Sequence, residues 1–190
     1  MKKNLGPKLE LYPTPVVVAG TFDGEGKPNL ATLAWTGVCC SEPPMIQIAV
    51  RRSRYTHGAI VERKVFSLNI PSKKYLVETD YCGIVSGRDV DKFETAGLTF
   101  VRGEVVDVPL VQEFPVSMEC RLFRTVELGS HDMFVGEIVA AWVESDVLHE
   151  GRPDVKKIDP PVFSPDGAYF GIGELLGPSF SVGKKLIKNR

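Results

Sequence analysis

Three arginines and two hydroxyl side chains lie close together between residues 51 and 56 of this 190-residue chain. They are Arg51, Arg52, Ser53, Arg54 and Thr56, and the sequence predicts that a helix begins directly after them. A guanidinium group meets a phosphate through paired N–H donors, and the first N–H groups of a helix also favour an anion. The segment therefore indicates a phosphate site. The alternative is that the arginines form a solvated strand end and that Thr56 only caps the helix.

An apolar segment precedes this cationic one. Leu33, Ala34 and Trp35 end a strand-like run over residues 29–35, and a corner at Pro43 and Pro44 leads into a second run over residues 45–50. The apolar side chains could form a wall for a ring system, and the strand could offer it main-chain N–H groups. Together the two segments suit a flat, mostly apolar cofactor that carries a phosphate.

The elements that must position these residues are mostly strands. We predict strands over residues 15–22, 29–35, 45–50, 65–69, 99–102, 115–126 and 133–147, with short helices beginning at residue 56 and over 73–81 and 89–95. The alternation over residues 116–124 predicts one solvated face and one core face. Six or more antiparallel strands with inserted helices indicate a mainly β fold closed, or partly closed, into a barrel, because closure removes exposed sheet edges.

The composition is that of an ordinary globular protein and excludes several classes. Hydrophobic residues make up 43% of the chain, charged residues 25%, and the formal net charge is -1, so we expect neither a nucleic-acid partner nor a membrane-surface partner. No apolar run is long enough to cross a bilayer and no signal sequence is visible, which predicts a cytoplasmic protein.

Cysteine and histidine spacing gives no sign of a metal site. The four cysteines contain no C-x-x-C pair, and the three histidines, His57, His131 and His149, are widely separated. We therefore expect free thiols and no metal.

Several short motifs occur in a characteristic order across residues 10–145. They are the strand at 29–36, Ser-Glu-Pro-Pro at 41–44 followed by Met-Ile-Gln-Ile, Tyr-Thr at 55–56, Phe-Ser-Leu-Asn-Ile-Pro at 66–71, Ser-Gly at 86–87 with Asp-Lys-Phe at 91–93, and Gly-Ser-His at 129–131 with Phe-Val-Gly-Glu-Ile-Val at 134–139. In these motifs the chain resembles the flavin reductase-like family, the FMN-binding split β-barrels that include flavoredoxins and the reductase components of two-component monooxygenases.

The resemblance implies a fold and an assembly. Residues 1–150 would form the split-barrel domain, and residues 151–190, where the composition becomes turn-rich, would form a C-terminal extension that packs on the barrel or on a dimer partner. The family also implies a homodimer with each site near the subunit boundary.

The resemblance also implies a cofactor and the residues that bind it. FMN would be held by Thr32, Leu33, Ala34, Trp35, Thr36, Cys40, Arg51, Ser53, Arg54, Thr56, Ser86, Gly87 and Lys92. NADH or NADPH would be the possible electron donor, with His131 near the nicotinamide. From the residues alone, His131 could simply lie at a turn, and the Ser86–Lys92 region could be a loop before a helix that Asp89 caps and whose Phe93 reaches the core.

The function implied is that of an oxidoreductase. It would take electrons from a reduced nicotinamide or a redox protein and pass them to flavin, ferric iron or a protein acceptor, and Trp35, Thr36 and the extension favour a flavoredoxin-like member. The alternative is a non-catalytic flavin- or haem-binding carrier or sensor module. A pyridoxamine-phosphate-oxidase-like enzyme is less favoured, because no pyridoxal-phosphate-binding set is recognisable.

Overall fold

A computed structural model describes residues 1–187 of the chain, and most of its regular elements are strands. The strands are β1 (Thr14–Pro15), β2 (Val17–Phe22), β3 (Pro28–Leu33), β4 (Thr36–Ser41), β5 (Pro44–Arg51), β6 (Val65–Ile70), β7 (Phe100–Arg102), β8 (Pro109–Val111), β9 (Val116–Leu128), β10 (His131–Val143), β11 (Leu148–His149), β12 (Arg152–Pro153), β13 (Val162–Ser164) and β14 (Ala168–Phe170). The α-helices are α1 (Tyr55–Arg63), α2 (Leu76–Ile84), α3 (Lys92–Ala96) and α4 (Val155–Ile158), with 3-10 turns at Lys73–Tyr75, Ser145–Val147 and Val182–Leu186. The predicted mainly β class with inserted helices is confirmed.

Seven strands form the main antiparallel sheet, in the order β3-β2-β6-β9-β10-β5-β4. The chain passes from the edge strand β3 to the other edge strand β4 through Ala34 and Trp35, and the Trp35 carbonyl accepts a hydrogen bond from the N–H of Ala49 in β5 (2.8 Å). The sheet therefore curls so that its two ends approach each other, as a split β-barrel requires.

Apolar side chains fill the inside of this barrel. Ile48, Phe66, Leu68 and Phe134 are completely buried, and α1 contributes the equally buried Ile60. Burial of such side chains is the main favourable term in folding. It also fixes α1 against the barrel, and with it the cationic segment of residues 51–56 at the start of the helix.

Helices α2 and α3 pack on the outside of β2 and β3 around a second core. Leu30, Cys82 and Phe93 belong to this core. The structure corrects the expected cap of α3: the helix begins at Lys92, and Asp91 accepts the capping hydrogen bond from the N–H of Glu94 (3.1 Å). Asp89 instead lies in a turn, where its N–H donates to the carbonyl of Ser86 (3.1 Å).

The predicted solvated face of β9 is wrong over the first half of the strand. Ser117 and Glu119 are buried, and the Glu119 carboxylate is completely enclosed. It accepts hydrogen bonds from the N–H groups of Glu104, Val105 and Val106 and from the indole N–H of Trp142, over distances of 2.7 to 3.0 Å. The loop between β7 and β8 covers this face, which a period of two in the sequence could not reveal.

The C-terminal segment returns to the start of the fold. Strand β13 pairs with both β1 and β14, and the Tyr169 hydroxyl donates to Asp80 of α2 (2.8 Å). Residues 171–187 are mostly exposed, and residues 188–190 lie outside the described part of the chain. The division of the chain at residue 150 stays a prediction. No helix within residues 1–187 has the length and apolar character that a bilayer crossing needs.

Candidate functional site

A cavity of about 340 Å³ lies between the start of α1, the strand β3 and the segment that joins α2 to α3. Eight of the predicted cofactor-binding residues line it: Thr32, Leu33, Ser53, Arg54, Thr56, Ser86, Gly87 and Lys92. A volume of this size is within the range of about 300 to 1,000 Å³ that is typical of ligand sites. The structure thus brings together residues that are up to 60 positions apart in the sequence, from Thr32 to Lys92.

The start of α1 forms the polar end of this cavity. Arg54 is the N-cap residue of α1 and its side chain makes no capping hydrogen bond, so the idea that Thr56 only caps the helix is wrong. Thr56 lies two residues further in and is buried, and its hydroxyl oxygen accepts a hydrogen bond from the Asn29 side-chain amide (2.9 Å). The first N–H groups of a helix lack partners within the helix, so this end suits an anion.

Asn29 was not singled out by the sequence analysis. Its Oδ1 atom is buried and has no hydrogen-bond partner among the described residues. Gly87, which lines the cavity, lies directly beside it: a Cβ atom at Gly87 would come within 2.1 Å of Asn29 Oδ1 and 2.8 Å of the Tyr55 ring. An unsatisfied buried acceptor is rare in folded proteins. Asn29 does not itself line either cavity, but it lies directly behind Gly87, which does.

Lys92 brings a positive charge to the inner wall. The residue is 4% exposed, and its ammonium group donates to the carbonyl oxygens of Leu30 (2.6 Å) and Cys82 (2.8 Å). Burial lowers the pKa of Lys92 to about 8. Because an ammonium group has three donors, one remains for a ligand in the cavity.

A second cavity of about 250 Å³ adjoins the first along β3. The two share Thr32, Leu33 and Gly83, and the second is also lined by Val16, Ala34, Asp80, Ile84, Phe163 and Tyr169. Trp35 lies behind Phe163, with ring centroids 6.3 Å apart. The site therefore has a cationic, hydroxyl-bearing end and a more apolar, aromatic end.

Five of the predicted residues line neither cavity: Trp35, Thr36, Cys40, Arg51 and His131. The Thr36 hydroxyl donates to the Gln47 carbonyl (2.8 Å), and His131 pairs with Arg51 across β10 and β5. Burial and the neighbouring Arg51 lower the pKa of His131. Trp35 lies in the connection between β3 and β4, and the other four residues belong to the β4-β5-β10 end of the sheet. The roles of all five in binding stay predictions.

Tyr55 and Arg88 are among the lining residues of the first cavity to which the sequence analysis gave no binding role. Tyr55 donates its hydroxyl to Asp23 (2.5 Å), and this contact raises the pKa of Tyr55 to about 12. The guanidinium of Arg88 lies 5.8 Å from the centre of the Tyr55 ring. Both residues are immediate neighbours of assigned ones, Thr56 and Gly87, and Tyr55 also belongs to the Tyr-Thr motif at 55–56.

The fold is that of a split β-barrel, and comparison with known proteins agrees. The sequence model of the family described as "Flavin reductase like domain" matches residues 9–169, so this chain belongs to the flavin reductase-like family.

Individual relatives with solved structures share the whole fold. The chain is 44% identical to flavoredoxin of Desulfovibrio vulgaris (Miyazaki F), with a TM-score of 0.92 over 97% of this chain and 100% of that one. It is 37% identical to flavoredoxin from Methanosarcina acetivorans, also with a TM-score of 0.92, over 98% and 99% of the two chains. An FMN-binding protein from Thermus thermophilus is 26% identical, with a TM-score of 0.80 over 94% and 98%.

Proposed function

We propose that this chain binds FMN and acts as a flavoredoxin-like electron-transfer oxidoreductase. The observation that carries the proposal is the pair of adjoining cavities, polar at the start of α1 and apolar along β3, in a chain that belongs to the flavin reductase-like family. Both named flavoredoxins share nearly the full length of the fold, and the Thermus thermophilus protein is described as FMN-binding.

The polar end would hold the phosphate. Arg54 can present paired N–H donors, Ser53 and Thr56 can present hydroxyls, and the first turn of α1 adds its N–H groups. Lys92 would contribute a positive charge from the inner wall.

The strand β3 and the segment after it would hold the ring. Leu33 and Ala34 offer apolar contact, and main-chain N–H groups between Thr32 and Thr36 would stabilise negative charge at the pyrimidine edge of the ring. Trp35 would extend the apolar surface. Cys40 would lie beside the edge of the flavin ring, and His131 would lie near the nicotinamide.

When bound, FMN would supply the redox chemistry, accepting electrons from NADH, NADPH or a redox protein and releasing them to flavin, ferric iron or a protein acceptor. The chain would bind and orient the cofactor and limit the access of water. The second candidate is a carrier or sensor that holds flavin without turnover, and the same cavities would serve it.

The experiment that tests the proposal begins with the visible spectrum of purified protein. Flavin absorption, or its appearance when stripped protein is titrated with FMN, supports the cofactor, and a haem spectrum or a failure to take up FMN overturns it. Anaerobic mixing with NADH and with NADPH then separates the functions. Rapid bleaching supports the nicotinamide-dependent oxidoreductase, and an unbleached band supports a carrier that another protein reduces.

The phosphate assignment has its own test. Arg54→Ala should weaken FMN binding by about 1 to 3 kcal/mol, because a charge-assisted contact is lost, and should leave riboflavin binding unchanged. Arg121→Ala is the matched control, since Arg121 is an exposed arginine on β9 away from both cavities. Equal FMN affinity for Arg54→Ala and wild type, measured by fluorescence titration, would remove Arg54 from the site.

We also propose that the protein is a homodimer. Residues 171–187 expose a series of large apolar side chains, among them Leu175, Leu176, Phe180 and Leu186. Exposed apolar patches of this kind mark interaction surfaces. A subunit boundary beside the cavities would also explain why several proposed ring neighbours lie outside the cavities of one chain.

A further inference from the structure

Residues 52–57 run from the end of β5 into the first turn of α1 and are here called the Arg52–His57 loop; both ends of this loop are tied to the sheet, while its middle lines the first cavity. Ser53, Arg54 and Thr56 belong to the cavity wall. Arg52 and His57, which flank them, do not line the cavity and point toward one carboxylate on a different strand. The loop thus has a face for a ligand and a face that is tied to the sheet.

The carboxylate that ties the loop is Asp132 of β10. Its Oδ1 atom accepts a hydrogen bond from Arg52 Nε (3.0 Å) and forms an ion pair with Arg52 Nη2 (2.9 Å), and its Oδ2 atom lies 2.8 Å from His57 Nε2. The Asp132 side chain is only 8% exposed. One side chain therefore holds Arg52, before the residues that line the cavity, and His57, after them.

The support for this carboxylate is rigid. Asp132 pairs with Val50 on β5 and with Glu127 on β9, so it lies inside the main sheet and not at its edge. The His57 ring packs on the completely buried Phe134, with ring centroids 5.1 Å apart. Hydrogen bonds from His57 and Arg52 lower the pKa of Asp132, so the carboxylate is ionised at neutral pH.

We infer that Asp132 is a positioning residue for the anion site: it holds the loop from Arg52 to His57 in the conformation that grips a phosphate, and so sets the preference of this chain for FMN over riboflavin. The inference rests on the proposed function, since it assumes that a flavin occupies the cavity. Ligand-binding groups need support of this kind, because a loop that is free to move pays an entropic cost when it binds.

An effect of the Asp132 charge alone on FMN affinity would have the opposite sign to an effect of holding the loop, which makes the inference testable. An ionised carboxylate close to the site should repel a phosphate, so its neutralisation should tighten FMN binding if Asp132 acts only through its charge. If Asp132 acts by holding the loop, neutralisation should weaken FMN binding. The sign of the change separates the two.

The experiment compares FMN and riboflavin affinities of stripped wild-type, Asp132→Asn and Glu127→Gln proteins. We expect Asp132→Asn to weaken FMN binding by about tenfold, from the loss of a charged hydrogen-bonding partner, and to change riboflavin affinity less than about twofold. Glu127→Gln is the matched control: Glu127 also contacts Arg52 (2.8 Å), but its side chain is exposed, and we expect both affinities to stay as in wild type.

Unchanged or tighter FMN binding by folded Asp132→Asn would overturn the inference, and so would an equal loss of FMN and riboflavin binding. Should Asp132→Asn fail to fold, His57→Phe decides, because it removes one tie and keeps a ring against Phe134. A selective loss of FMN affinity in that variant supports the inference, and wild-type affinity overturns it. Failure of the wild type to bind either flavin would instead remove the proposed function.

Discussion

Lys92 combines deep burial with a charge that can be lost within an accessible pH range. Its pKa is lowered to about 8 by burial, against an ordinary value of 10.5. The ammonium form is therefore present below about pH 8 and is lost as the pH rises through that value. We expect FMN affinity to be constant between pH 7 and 7.5 and to fall from pH 8 to 9.5, as fluorescence titration at a series of pH values would show.

Lys92→Arg gives the comparison for this pH dependence. A guanidinium stays charged throughout this range, so any FMN binding by a folded Lys92→Arg protein should be flat up to pH 9.5. A wild-type affinity that is equally flat would show that the Lys92 charge does not reach the phosphate.

At the level of single residues, the sequence revealed only part of the site. The cluster of arginines indicated an anion site, but residue types could not tell which arginine faces a ligand. Arg52 is diverted to Asp132, which lies 80 positions away, while Arg54 remains at the cavity. Asn29 was missed for a similar reason, since only the fold brings its amide nitrogen to Thr56 and buries its amide oxygen without a partner among the described residues.

Among the elements, strand β9 is fastened to the loop between β7 and β8 by the Glu119 carboxylate. Burial alone would raise the pKa of Glu119, but the N–H donors of Val106, Trp142, Val105 and Glu104 outweigh it and lower that pKa. We expect Glu119→Gln to lower the free energy of unfolding by about 1 to 3 kcal/mol at pH 7, because the glutamine NH2 group would face N–H donors that now bond a carboxylate oxygen. Urea denaturation followed by fluorescence measures this loss.

The pH dependence supplies a further check on Glu119. A carboxylate with a lowered pKa in the folded state stabilises the fold above its unfolded pKa of about 4.3 and loses that contribution as the pH falls through the folded value. The difference between wild type and Glu119→Gln should therefore shrink as the solution is acidified below about pH 4.3. Glu127→Gln, an exposed glutamate on the same strand, should change stability by less than about 0.5 kcal/mol. An equal loss for both variants would contradict the role given to Glu119.

Strand existence was predictable, and the covering of strand faces was not. The alternation over residues 116–124 correctly predicted β9, because period-two patterns arise from the geometry of a single strand. It could not show that a loop closes over Ser117 and Glu119, because that loop comes from an irregular segment whose path is set by tertiary contacts. The predicted cap of α3 was two residues too early. Asp89 and Asp91 could each have capped the helix, and the sequence does not distinguish them.

For the whole molecule, the proposed homodimer makes a prediction about the exposed segment 171–187. Leu176 and Phe180 are 89% and 94% exposed, so they contribute little to the stability of one chain. The double variant Leu176→Ser with Phe180→Ser should keep the thermal stability of the monomer and raise the dimer dissociation constant by about tenfold or more, since apolar anchors dominate interfaces. Sedimentation velocity over a concentration series measures the change.

Lys184→Ser is the control for this variant, because Lys184 is also exposed in the same segment and is charged. We expect its dissociation constant to equal that of wild type. A wild-type protein that remains monomeric at high micromolar concentration would remove the dimer, and a double variant that dimerises like wild type would remove segment 171–187 from the interface.

The topology of the whole barrel was the part of the fold least accessible to pattern arguments. Alternation and turn residues predict individual strands, but the order β3-β2-β6-β9-β10-β5-β4 depends on pairings between distant segments. The split-barrel fold was available only through the family resemblance, and the agreement with two flavoredoxins over nearly the full length confirms it.

The pairing of β1 with β13 has a consequence for biosynthesis. Thr14 lies opposite Phe163, and Phe163 and Tyr169 complete the wall of the apolar cavity. A nascent chain emerging from the ribosome therefore has no finished pocket until residue 169 has been translated and has folded back onto the beginning of the protein. Contacts between such distant segments form slowly, so we expect the apolar cavity to be completed late in folding, after the polar cavity, whose wall lies within residues 31–92.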